Sequence, residues 1–111
     1  MDITTTITGT TARITPHGEL DLDTLPPLRA AVDRLPQQVT GLVWDLEHLS
    51  FTDIAGLRLI FGPAPHYRTT VTGVQDQPLQ LLFIAADLFP TAYDLTRLIP
   101  RTPAGLTACK P

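Results

Sequence analysis

Three observations predict an α/β fold, a mixed β-sheet with helices packed against it. The chain opens on two alternating runs able to pair as a β-hairpin. A continuous apolar run, residues 42–46, lies mid-chain. Stretches with helical apolar spacing stand on either side of that run.

The opening run sets Ile3, Thr5 and Ile7 against Thr4, Thr6 and Thr8, residues suited to a half-buried strand. Gly9-Thr10 can turn the chain into a second strand over 11–18, with Ala12 and Ile14 on one side. Pro16 lacks a ladder donor and is expected at an edge or a bulge. After Gly18-Glu19-Leu20-Asp21, Thr24 is a candidate helix N-cap. Pro26 and Pro27 fall in the first turn, where a missing N–H costs little. Leu25, Leu28, Val32 and Leu35 form one stripe that faces the sheet, and Pro36 ends the helix.

Leu42-Val43-Trp44-Asp45-Leu46 reads as a strand buried on both faces. A connection over 47–52 leads to Asp53, whose carboxylate can accept from free backbone N–H groups at the start of a helix carrying Leu57, Ile60 and Phe61. Gly62-Pro63-Ala64-Pro65 stops that helix after about two turns. Residues 66–77, with Tyr67, Val71 and Val74 scattered among polar residues, read as a loop or short irregular helix. Residues 78–84 read as another buried strand. Asp87 is the next candidate N-cap, for a helix carrying Leu88, Ala92, Leu95 and Ile99 and ended by Pro100. Residues 106–108 form a short edge strand or tail.

The 111 residues are expected to form one domain, with 43% hydrophobic and 17% charged residues favouring a folded chain. A formal charge of -3 argues against non-specific nucleic-acid binding. No apolar run approaches a membrane span. The N-terminal residues have no basic or apolar signal region, and Cys109 is the single cysteine, so a reducing, cytoplasmic setting is expected.

Catalytic constellations are absent from the pattern. Glu19, Asp21 and Asp23 form an acidic cluster whose plainer reading is a solvated turn. His17, His48 and His66 lack metal-ligand spacing, and no glycine-rich phosphate loop occurs. The reading is of a non-enzyme without cofactor or metal.

The ordered motifs resemble the STAS domain family, the group that contains bacterial anti-sigma factor antagonists. Gly18-Glu19-Leu20-Asp21 matches the family's early G-E-[LI]-D signature. The apolar strand followed by Leu49-Ser50-Phe51 matches its D-L-x-x-[LV]-x-[FY] continuation. Asp53, two residues, then Gly56-Leu57 matches D-[ST]-[SAT]-G-L. Order and spacing agree over roughly residues 3–99.

The resemblance implies a STAS-like sheet opening on a β-hairpin and a protein–protein interaction module. Members bind a serine-kinase-like anti-sigma factor and so release a sigma factor. Many are switched off by phosphorylation of the Ser or Thr after the motif Asp, where a helix N-terminus favours phosphate. Ile54 occupies that position here and Ala55 follows, so phosphorylation there is chemically impossible. Thr52 and Ser50 are the nearby hydroxyls, and their plainer role is local hydrogen bonding. The partner surface implied is Asp21, Leu22 and Asp23 with Asp53, Ile54, Ala55, Gly56 and Arg58. Gly56 would let a partner approach closely, and Ile54, if exposed, would add an apolar contact. Two other roles stay open: a scaffold subunit bound to other STAS proteins, and a nucleotide or small-ligand domain with a pocket near the N-terminus of the central helix.

Overall fold

The computed structural model describes residues 1–99. Strands β1 (Asp2–Thr8) and β2 (Thr11–Leu20) form the antiparallel hairpin, in register from Asp2↔His17 to Thr8↔Thr11. Gly9 turns the chain at φ 61°, a conformation glycine adopts without a Cβ penalty. Strand β2 is the hub. Its other edge is shared by two parallel strands, β3 (Gly41–Asp45) along Thr11–Ile14 and β4 (Leu49–Thr52) along Gly18–Leu20. Strand β5 (Arg68–Thr72) adds to β3 in parallel, giving a mixed five-stranded sheet.

One face of this sheet carries the core. Ala12 and Ile14 of β2, Leu42 and Trp44 of β3 and Val71 of β5 are buried with Leu28, Leu57, Ile60, Phe61 and Leu82 of the helices. These helices are α1 (Leu25–Asp33), α2 (Ile54–Phe61) and α3 (Asp76–Leu88). On alternate positions of β2 the half-exposed Arg13 donates to Asp45 at 3.2 Å. Period-two alternation over Thr11–Ile14 thus separates core from surface, and it breaks where Thr15 is buried between Ile14 and Pro16. No helix among the described residues is long and apolar enough to cross a membrane.

The mixed sheet, the opening hairpin, α1 and α2 agree with the sequence expectations, and four stretches differ. Residues 78–84 are not a strand but the middle of α3, which buries Pro78, Leu82 and Ala85 at helical spacing and leaves Phe83 and Ile84 exposed. Pro78 is tolerated because it lies in the first turn, where no intrahelical N–H bond is required. Asp87 therefore closes a helix instead of opening one. Beyond α3 the chain runs irregularly to a 3₁₀ turn at Leu95–Arg97, and Ile99 donates its N–H to the carbonyl of Val71 at 2.9 Å. Within the 66–77 stretch, residues 68–72 are β5. Part of the 47–52 connection is β4.

Thr24 occupies the N-cap position of α1 but makes no cap bond from its side chain. The donors that an N-cap side chain serves belong to the second and third helical residues, which are Pro26 and Pro27 and have no N–H. Its hydroxyl instead donates to the Glu19 carbonyl at 3.0 Å and accepts from the Asp21 N–H at 2.9 Å. Pro16 lies inside the hub strand, not at the sheet edge. It falls between the end of the β3 pairing at Ile14 and the start of the β4 pairing at Gly18, where β2 has a ladder neighbour on one side only. Residues 106–108 lie outside the described residues.

Candidate functional site: the loops beyond β2 and β4

Parallel strands deliver their following loops to the same end of a sheet. Leu20 of β2 pairs with Thr52 of β4, and the Asp53 N–H donates to the Leu20 carbonyl at 3.1 Å. The Asp21–Asp23 loop and the N-terminus of α2 are therefore adjacent, although 30 residues separate Asp23 from Asp53.

Each loop is fixed by its own short polar side chains. Asp21 is half-buried, and its Oδ1 accepts from the N–H groups of Asp23 at 2.9 Å and Thr24 at 3.1 Å. This Asx-type turn holds the carboxylate inward and turns Leu22 out to 73% exposure, with Asp23 also exposed. On the second loop Asp53 takes an extended conformation (φ −97°, ψ −176°), and its Oδ1 accepts from the Gly56 N–H at 2.9 Å. That is the N-cap expected from the sequence. The cap starts α2 so that Ile54 emerges 42% exposed, with Ala55 half-buried and Arg58 exposed.

Gly56 does not face a partner. It is buried, and a Cβ at this position would stand 2.2 Å from Thr52 Oγ1 and 2.6 Å from Leu20 Cδ2. Its missing side chain lets α2 lie directly on β2 and β4, so the close approach it permits is internal. Thr52 is 0% exposed, and its hydroxyl donates to the Asp53 carbonyl at 3.1 Å. A kinase cannot reach it in the folded protein. Ser50 is exposed and donates to the Gly18 carbonyl at 3.2 Å.

Two residues belong to this region that sequence reading had not placed there. Phe51, beside Glu19 in the β2–β4 register, is 39% exposed and extends the apolar surface. Gln77, in the first turn of α3, completes the outer edge of β4. Its Oε1 accepts from the Thr52 N–H at 2.9 Å, and its Nε2 donates to the Thr52 carbonyl at 3.1 Å. One side-chain amide thereby takes the place of a neighbouring strand. Gln75 adds a bond from its Nε2 to the Glu47 carbonyl at 2.6 Å. Phe51 could have been found from its place in the strand motif; the pairing of Gln77, 25 residues from Thr52, had no local signal.

Exposed apolar and acidic side chains share this end of the sheet. Leu22, Phe51 and Ile54 supply apolar area; Asp23 and Asp53 supply negative charge beside them. Glu19, Asp21 and Asp23 do not converge, and among the described residues no three His, Cys, Asp or Glu side chains could hold a metal ion together. His17 and His48 stack with ring centroids 4.7 Å apart where β4 joins β2, bracing the approach to the site.

The sequence matches no protein-family model and no curated protein. Among solved structures the chain is similar to that of the anti-sigma factor antagonist SpoIIAA in its unphosphorylated form. The TM-score is 0.60 and the identity 22%, over 91% of this chain and 90% of that one. The likeness establishes the fold: the mixed sheet with its opening hairpin is the STAS fold that the motifs implied.

Proposed function

We propose that this chain is an anti-sigma factor antagonist-like docking module whose partner is a serine-kinase-like anti-sigma factor. The carrying observation is the β2–β4 register. It sets the Leu22-bearing loop beside the start of α2, which brings exposed Leu22 and Ile54 to the same end of the sheet as Asp23 and Asp53. The fold shared with a protein described as an antagonist, not as an enzyme, supports the same reading. Binding buries the apolar side chains, and the carboxylates select a partner with basic groups at the rim. Ligands favour this end of parallel strands for the same topological reason.

The module works without the usual phosphate switch. At the acceptor position a hydroxyl would stand at an anion-favouring helix terminus, and its phosphate would add charge to the docking face. Ile54 offers no oxygen. The surface is then permanently available, in a cytoplasmic setting and without catalysis by the chain itself.

Pull-down of the wild type from the native host, read by mass spectrometry, tests the proposal. Recovery of a serine-kinase-like anti-sigma factor supports it, provided that Leu22→Asp and Ile54→Asp abolish capture while keeping the wild-type melting temperature. Capture that survives both substitutions places the interface elsewhere. Incubation with the recovered kinase and ATP should add no phosphate to the wild type; phosphate on Ser50 with loss of binding would mean that the switch had moved.

Exposed Phe83, Ile84 and Leu88 on α3 favour a second reading, a scaffold subunit bound to other STAS proteins. Recovery of such proteins, sensitive to Phe83→Asp instead of Ile54→Asp, would identify it.

A further inference from the structure

Among the described residues three strands bound the sheet: β1, β4 and β5. On β4, Gln77 bonds the outer groups of Thr52, and on β5 the Val71 carbonyl accepts from the Ile99 N–H at 2.9 Å. The outer edge of β1 differs. It pairs with β2 on one side and, among the described residues, with nothing on the other. Its sequence does not blunt it: Asp2–Thr8 holds no Lys and no Pro, and its register with β2 runs from end to end without a bulge. The turn decides which backbone groups face outward. Gly9-Thr10 is a two-residue loop, so Thr8 and Thr11, which close it, exchange hydrogen bonds, and bonded pairs alternate from there along the ladder. Asp2, Thr4, Thr6 and Thr8 therefore bond to β2, while Ile3, Thr5 and Ile7 turn their N–H and carbonyl groups outward. Pro16, which has no N–H, stands opposite Ile3, at one of the pairs that needs none.

We propose that this edge pairs with the same edge of a second copy of the chain, antiparallel and centred on Thr5, joining two sheets into one. Residues 3–7 read Ile-Thr-Thr-Thr-Ile, the same in both directions. A two-fold axis at Thr5 sets Ile3 of each copy against Ile7 of the other and Thr5 against Thr5. Every outward N–H and carbonyl of these three residues then meets its opposite. Sliding one copy by two residues sets Ile7 against Met1, or Ile3 against Gly9, both outside the strand. This symmetry selects a second copy over an unrelated extended segment. Charge agrees, since Asp2 is the one charged residue of β1 and falls opposite Thr8, so that no like charges face each other across the pair. The side chains agree too. Ile3, Thr5 and Ile7 line a groove beside α1, walled by Ala30, Ala31 and Leu35, and Ile7 is 43% exposed. In the pair, Ile7 of one copy lies beside Ile3 of the other on this same face, and each covers the other. The interface is small, at the low end for specific contacts, so the association depends on concentration.

Sedimentation equilibrium of the full chain tests the proposal. The apparent mass should rise with concentration from one chain toward two and stop there, because a two-fold pair closes on itself. Thr5→Pro removes an N–H that points outward, a change an edge strand accommodates. It should keep the wild-type circular dichroism and leave the chain monomeric. Thr5→Lys, at an exposed position, sets two ammonium groups against each other across the axis and should also abolish the dimer. Cysteine cross-linking reads the register. In a Cys109→Ser background, Thr5→Cys puts two thiols on directly opposed residues, with Cα atoms about 5.5 Å apart, and should give a covalent dimer on mild oxidation. Thr4→Cys should give none, since Thr4 falls opposite Thr6 and its own counterpart lies farther off than a disulfide spans. A wild type that stays monomeric at its highest soluble concentration would overturn the proposal. So would a dimer that survives both Thr5→Pro and Thr5→Lys, or equal cross-linking at the two positions. Leu22→Asp and Ile54→Asp should leave the dimer intact; its loss in either would move the interface to the docking face and overturn the pairing through β1.

Discussion

Asp53 and Gly56 show how closely support and presentation are joined at the start of α2. The Asp53 carboxylate satisfies the Gly56 N–H, which otherwise has no intrahelical partner. Asp53→Ala should lower stability by about 0.5–2 kcal/mol in urea denaturation, and Asp53→Asn by less, because Asn also caps. Gly56→Ala should cost about 1–3 kcal/mol, since the added methyl must displace Thr52 and Leu20, both fully buried. A Gly56→Ala protein with wild-type stability but no partner binding would return Gly56 to the docking surface. The sequence made the Asp53 cap legible because capping is local, a side chain reaching a backbone group three residues on. It did not reveal which way Gly56 faces, because that depends on β2 and β4 lying beneath the helix.

Elements were legible where periodicity and boundaries agreed. The hairpin has alternation and a glycine turn; α2 has a cap at one end and a Gly-Pro stop at the other. Helix α3 was misread because residues 79 and 81–84 are all apolar, a run in which helical and extended periods look alike. The decisive signal was polar: Gln75-Asp76 ahead of Pro78 is a helix start. Strand β5 was missed for the opposite reason, since Arg68–Thr72 buries only Val71 and shows its β character solely through β-branched threonines. The segment after α3 is tied down by other means. Asp94 accepts hydrogen bonds from the hydroxyl and the N–H of Thr96, and Arg97 donates to the Ile60 carbonyl at 2.8 Å. The bond from the Thr96 hydroxyl holds the Asp94 carboxyl below its ordinary range; burial opposes it, and the Thr96 N–H and the Arg97 charge add to the lowering. A group depressed in this way stabilises the fold above the usual carboxylate range and loses that contribution as pH falls through its folded value. Stability measured downward from about pH 4 should therefore fall less steeply in Asp94→Asn than in the wild type. The difference should be small, because Asp94 is exposed.

At the scale of the molecule, the proposed docking face stands at the Asp53 end of α2, beside the loop that follows β2. The hub strand β2 makes this possible by holding β3 and β4 in succession along one edge. That arrangement has a cost, for β5 accompanies β3 only and stops at Thr72, leaving β4, among the described residues, without a strand on its outer side. An unpaired strand edge is a template on which other chains can assemble. The two bonds from Gln77 to Thr52 occupy that edge with a side chain that cannot propagate a ladder. Gln77→Ala leaves both Thr52 groups without this partner and should cost about 1–3 kcal/mol. Its larger effect should be collective: static light scattering of concentrated Gln77→Ala solutions should rise with time under conditions where the wild type stays clear. On this expectation the Gln77 amide acts as a stopper, ending the β4 ladder where a second copy of the chain could otherwise add to it.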